Sequence, residues 1–198
     1  MDTEKTNNAA ANQGLTRPRL ALYHANPRGT GSAVTMEVHP AHGIKSGCIM
    51  MSIASQLTTG AENGSDATKC RFDWEGKITV KLDFLDLCKF LQVLRGECES
   101  IEDGKGLYHV TAKAVTKIRF RHMLEPSDGY SLEVYRTLRG KGEDSHACFL
   151  LSGAEAIGLS EAIAGSMAVV CFGIPVVTPH DTAEYEAEQR RFRNERAA

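Results

Sequence analysis

The sequence has no CxxC pair, no stretch approaching the ~20 apolar residues of a bilayer-crossing helix, and a single tryptophan. Its six cysteines, at 48, 70, 88, 98, 148 and 171, are scattered. A disulfide framework belongs to small secreted chains, whereas 198 residues can bury a sizeable core without staples. Reduced, mostly buried thiols are therefore expected. The opening MDTEKTNNAAANQG carries acids and no apolar run, which argues against a signal or transit peptide. These absences predict a soluble, intracellular protein, cytoplasmic or nucleoid-associated, with no membrane partner.

An excess of charge of one sign is missing too. The formal net charge is −2, with 42% hydrophobic and 24% charged residues. Low complexity and wholesale disorder are excluded, and so is a protein coated in basic residues. Catalytic signatures are equally scarce. None of the seven histidines sits in a recognisable nucleophile motif. His39-Pro40-Ala41-His42 has a proline inside it and no neighbouring cysteine or carboxylate, so it reads as a turn rather than a metal pair. Gly29-Thr30-Gly31 and Gly104-Lys105-Gly106 lack the spacing of a phosphate-binding loop and read as hairpin turns. No enzyme activity, metal or cofactor is expected.

What is present is a repeated run of strands closed by a helix. Residues 1–18, rich in Asn, Ala and Thr, predict a flexible arm. From Arg19, Leu20 and Leu22 alternate with polar neighbours. After the turn at Asn26–Gly31, Val34, Met36 and Val38 alternate with Thr35, Glu37 and His39, which predicts a hairpin. A third strand, Cys48–Leu57, is apolar on both faces, and Thr59–Thr68 reads as a mobile loop. In the fourth, Ile78, Val80 and Leu82 oppose Lys77, Thr79 and Lys81. Asp83 is a helix N-cap, with Phe84, Leu87, Cys88, Leu91 and Leu94 at helical spacing and Gly96 past the end. The pattern restarts with strands at 107–114, 117–124, 130–138 and 146–151. A capping box, Ser152-x-x-Glu155, opens a second helix striped by Ala156, Leu159, Ile163, Met167 and Val170. The expected fold is α+β: two four-stranded antiparallel sheets, each followed by a helix, over 19–174. Residues 175–198 form a charged tail.

The charge map then becomes informative. Between Lys105 and Lys141 eight basic residues face three acids, Glu125, Asp128 and Glu133, a balance of +5. Alternation puts Lys117, Arg119 and Arg121 on one face, and Lys77 and Lys81 point away from the core side of their own strand. A basic sheet face suits a phosphate backbone. Tyr23, Phe72, Tyr108, Tyr130 and Tyr135 are candidates for stacking on unpaired bases. Phe120, Phe149 and Trp74 read as core.

Gly47-Cys-Ile-Met-Met-Ser-Ile, then Arg71-Phe72-Asp73-Trp74-Glu75, then a lysine-bearing strand and a helix, resemble the Whirly family of single-stranded DNA-binding proteins. Its members carry a glycine-led LMMTF strand and a YDWE segment in that order. Arg28-Gly29-Thr30-Gly31-Ser32-Ala33-Val34 falls where the family has a KGKAAL hairpin, with Thr30 in place of the second lysine. The resemblance runs from Tyr23 to Gly173. It implies a homotetramer packed through its helices, with single-stranded DNA laid across the sheets at low sequence specificity, in replication, repair, recombination or transcription. It implies phosphate contacts from Lys77, Lys81, Lys117, Arg119, Arg121 and Arg136, joined by Arg28 and Lys113. Tyr23, Phe72 and Tyr135 would stack on bases. Related mitochondrial guide-RNA-binding proteins share the architecture, so RNA is a second expected partner. A protein-interaction module without nucleic acid is the third reading.

Overall fold

The computed structural model describes residues 19–42, 44–59, 70–125, 128–140, 142 and 144–174. The predicted arm, tail and almost all of the predicted loop at 59–68 lie outside the described residues, as does Lys141. Strands β1 (Arg19–His24), β2 (Ser32–His39), β3 (Cys48–Ser55) and β4 (Ile78–Leu82) make one antiparallel sheet in chain order, and helix α1 (Phe84–Leu94) follows. Strands β5 (Leu107–Val110), β6 (Ala114–Met123), β7 (Gly129–Leu138) and β8 (Asp144–Ser152) make the second sheet, closed by α2 (Gly153–Phe172). This is the expected plan of four strands and a helix, twice.

β3 and β5 end earlier than expected, each for a local reason, while β6 and β8 begin three and two residues earlier. β3 stops at Ser55 because Gln56 leaves the ladder, bridging Phe72 and turning its amide inward. β5 stops at Val110 because the Thr111 hydroxyl accepts from the amides of Lys113 and Ala114, at 3.3 and 3.0 Å. That side-chain turn competes with the ladder and folds the chain back into β6.

Alternation sorts the core. Val34 and Met36, Ile49, Met51 and Ile53, and Ile78, Val80 and Leu82 are buried on the first sheet's inner face. Ile118, Phe120, Leu132, Val134, Phe149 and Leu151 do the same on the second. β8 packs against β2, β3 and β4, so the sheets share this core. Phe90 of α1 lies flat on Phe120 at 4.8 Å, and Tyr130 stacks on the far side of Phe120 at 5.6 Å. Tyr130 is thus a packing residue on the inner face rather than a base platform.

Both helix starts carry reciprocal caps. The Asp83 carboxylate accepts from the Asp86 amide at 3.1 Å and the Asp86 carboxylate from the Asp83 amide at 3.2 Å. Ser152 and Glu155 repeat the arrangement on α2. Each capping acid also meets a histidine from the other half of the chain. His109 of β5 reaches Asp86, and His24 of β1 reaches Glu155 at 2.6 Å while stacking on Phe149.

α2 corrects one expectation. Its 20 residues are long and apolar enough, by length and composition, to cross a bilayer. In the sequence the run is interrupted by Glu155 and Glu161 and diluted by alanine, glycine and serine. Ala156, Leu159, Ile163 and Val170 are buried on the sheets, while Ile157 and Phe172 are 70% and 89% exposed. The uncovered side mixes these two large apolar residues with small ones and the exposed acid Glu161.

Candidate nucleic-acid interface

Because the inner faces are spent on the core, each sheet turns its other face outward. On the first sheet the register aligns Arg19 with Glu37, Tyr23 with Ala33, Thr35 with Ser52, Ser52 with Thr79, and Met50 with Lys81. These residues line one surface with Lys77, which is exposed just ahead of β4. At the β1 end of this surface stand three rings. Tyr23 and Phe72 lie 5.6 Å apart, and the edge of Trp74 meets Tyr23 at 6.4 Å. Tyr23 is 52% exposed, and the three rings line an open recess of about 860 Å³ with Leu57 and Arg71. A groove of about 600 Å³ continues from Tyr23 and Trp74 past Arg19, Ser52 and Lys77.

Trp74 is therefore a wall of this recess and not the core filler expected. No periodicity marks it, because it lies in the irregular segment before β4. The signal available in the sequence was its place two residues after Phe72. The recess is fixed from behind: Asp73 and Leu57 donate backbone hydrogen bonds to Ser55 and Arg71, at 2.8 and 2.7 Å. Arg28 is exposed in the hairpin turn that follows Tyr23.

On the second sheet the outward face carries Lys117, Arg119 and Arg121 in a row, as alternation predicts. The register sets Tyr108 and Tyr135 on either side of Lys117, and Glu133 opposite Arg119. Lys117 Nζ lies 5.0 Å above the Tyr108 ring, and the Arg119 guanidinium 5.7 Å above the Tyr135 ring. Tyr135 also stacks on His146 at 4.4 Å. Cations held over aromatic faces make a mixed platform that offers charge and π-surface together. The Tyr135 hydroxyl donates to Glu133 at 2.9 Å, and that bond holds its pKa above the ordinary tyrosine value. Beside it the Cys148 thiol is pushed up, chiefly by burial.

Two of the expected phosphate-binding residues are not brought to these faces. Lys113 is exposed in the β5–β6 turn, beyond the row on β6. Arg136 occupies the inner side of β7, where its guanidinium donates to the backbone carbonyl of Thr79 and its Nε to the Thr116 hydroxyl at 3.4 Å. There it ties β7 to the edge strand β4 of the other sheet. Alternation alone separates Arg136 from Tyr135; a charge sum along the segment merges them.

No protein-family model and no curated protein matches this sequence. Solved structures do match the fold. WHY1 from Arabidopsis thaliana, a Whirly protein, superposes with a TM-score of 0.63 at 13% identity, over 80% of this chain and 87% of that one. The plant transcriptional regulator PBF-2 gives 0.62 at 14% identity, over 79% and 83%. A guide-RNA-binding protein complex bound to a gRNA gives 0.53 at 16% identity, over 79% and 94%. The chain has the Whirly-like fold.

Proposed function

We propose that this protein binds single-stranded nucleic acid across the outer faces of its two sheets, with single-stranded DNA as the principal ligand and little preference for sequence. The observation that carries this reading is the pairing of cation with ring on the solvent side of both sheets. Lys117 stands over Tyr108 and Arg119 over Tyr135, while Tyr23, Phe72 and Trp74 open a recess beside Lys77. Unpaired bases stack on such rings at roughly 1–3 kcal/mol each, and every base has a face to offer. The fold it shares with a guide-RNA-binding complex and with a plant transcriptional regulator supports the reading.

In this reading Lys77, Lys81, Lys117, Arg119, Arg121 and Arg28 meet phosphate, and Lys113 extends the path. Tyr23, Phe72 and Tyr135 stack on bases, and Trp74 joins them. The protein acts by binding rather than by catalysis, inside the cell, where it covers melted DNA during replication, repair, recombination or transcription. It assembles as a homotetramer through its helices, with the uncovered side of α2 as the seam. RNA is the second ligand, favoured by the gRNA-bound neighbour.

The test is a titration of fluorescent oligo(dT) and oligo(U) at two salt concentrations. Binding at micromolar protein that weakens with salt is the expected result; absence of binding overturns the proposal. Changing Lys117, Arg119 and Arg121 together to Glu should remove most of the affinity and flatten the log–log salt slope by about 2, at ~0.7 for each single-strand phosphate no longer neutralised. An unchanged slope would place the ligand elsewhere.

A further inference from the structure

The row Lys117–Arg119–Arg121 is interrupted from the neighbouring strand by a carboxylate. Glu133 stands opposite Arg119, with one oxygen 4.0 Å from the Arg119 guanidinium and the other 3.5 Å from that of Arg121. The Tyr135 hydroxyl donates to it at 2.9 Å, and the Ser131 hydroxyl lies 3.5 Å away. Its side chain is 17% exposed, against 44% and 55% for the two arginines. The carboxylate is thus held in the sheet surface, while the two cations paired with it reach further into solvent.

This arrangement treats two forms of nucleic acid differently. A single strand can turn its bases toward Tyr108 and Tyr135, and that stacking offsets the cost of drawing Arg119 and Arg121 from Glu133 to its phosphates. A duplex cannot, because its bases are stacked inside; toward these rings it presents phosphates rather than base faces. Phosphates packed against this row must draw Arg119 and Arg121 away from Glu133 and then sit beside an uncompensated carboxylate. Specificity is often built from such a repulsive element set against the wrong partner.

We infer that Glu133 is a specificity-determining residue that excludes double-stranded nucleic acid from the second sheet while leaving single strands bound through their bases. This role rests on the proposed binding of single strands. Glutamine at 133 keeps the size and one acceptor oxygen for the Tyr135 hydroxyl, turns an amide donor toward the Ser131 oxygen, and removes the charge.

The experiment measures Glu133→Gln, Glu133→Asp and the unaltered protein against oligo(dT) and against a duplex of equal length, in low salt, with thermal melts of each variant. E133Q should raise duplex affinity by about tenfold, the scale of one like-charge contact at a solvent-facing surface, and single-strand affinity by less than half that factor. E133D, which retains the charge, should discriminate like the unaltered protein. If the unaltered protein binds oligo(dT) but E133Q leaves the ratio of the two affinities unchanged, Glu133 has no such role and the binding proposal stands. Tight duplex binding by the unaltered protein also overturns the inference. Failure of the unaltered protein to bind oligo(dT) removes the binding proposal and this inference together.

Discussion

His109 of β5 sets its Nε2 3.0 Å from Oδ2 of Asp86, the buried acid that closes the cap of α1. The contact joins the second sheet to the helix of the first unit. His24 and Glu155 make the reverse connection, from the first sheet to the helix of the second. Each helix start is therefore completed by the other half of the chain.

The His109 pair predicts a dependence of stability on pH. The hydrogen bond to Asp86 holds the imidazole above its ordinary value of 6.5, against the opposing effect of burial. A raised pKa stabilises the fold fully below the unfolded value, and the gain is lost as pH rises through the folded one. Thermal melts from pH 6 to pH 8.5 should show Tm declining across this window, and His109→Gln should flatten the decline. An equal slope in the variant would assign the effect to another group.

At the other cap the balance has the opposite sign. Burial raises the Glu155 carboxyl, but the Ser152 amide, His24 and the Ser152 hydroxyl together outweigh it and hold the group below its ordinary value of 4.5. Its contribution is present above that value and lost as pH falls through the folded one. Ser152→Ala, which removes the acceptor for the Glu155 amide, should lower stability by about 1 kcal/mol in urea melts at pH 7.

Trp74→Ala and Phe72→Ala should each weaken oligo(dT) binding by roughly 1–3 kcal/mol, the value of one stacked base. Arg136→Gln should do the reverse: a lower Tm from the broken tie to Thr79, with affinity nearly unchanged. Fluorescence titrations alongside melts separate the two effects. A large loss of affinity in R136Q with an unchanged Tm would return Arg136 to the binding surface.

The exposed side of α2 yields the fourth expectation. Ile157→Asp replaces an exposed apolar side chain of this face with a second acid beside Glu161, and should shift the mass measured by light scattering toward the monomer without unfolding the chain. An unchanged mass would remove α2 from the seam.

Much of this was readable along the chain. Alternation over Lys77–Leu82 and Lys117–Met123 assigned core and outer faces correctly, because a half-buried strand imposes a period of two. Asp83 and Ser152 marked the helix starts through cap chemistry. Residues acting across sequence distance were not readable. Trp74 lies in an irregular segment with no period, Arg136 reaches a strand 57 positions away, and Glu133 is one of three acids against eight bases in the charge sum. Arg136 and Glu133 owe their roles to partners on other strands, Thr79 on β4 for one and Arg119 and Arg121 on β6 for the other, which periodicity along one strand does not reveal.

Gln56, buried at the end of β3, accepts from the amides of Asn26 and Gly31 and donates to the carbonyls of Asn26 and Thr58. Gly31 fits there because a Cβ would stand 2.1 Å from the His24 carbonyl and 2.3 Å from the Gln56 amide oxygen. One side chain thus rivets the turn bearing Arg28 to the strand end from which the aromatic recess is hung. A ligand docking at this corner meets a surface already in place, so it forfeits little freedom of the protein's own to settle there. Loosening that rivet would be felt as slower capture and faster escape, in a residue that never touches the ligand.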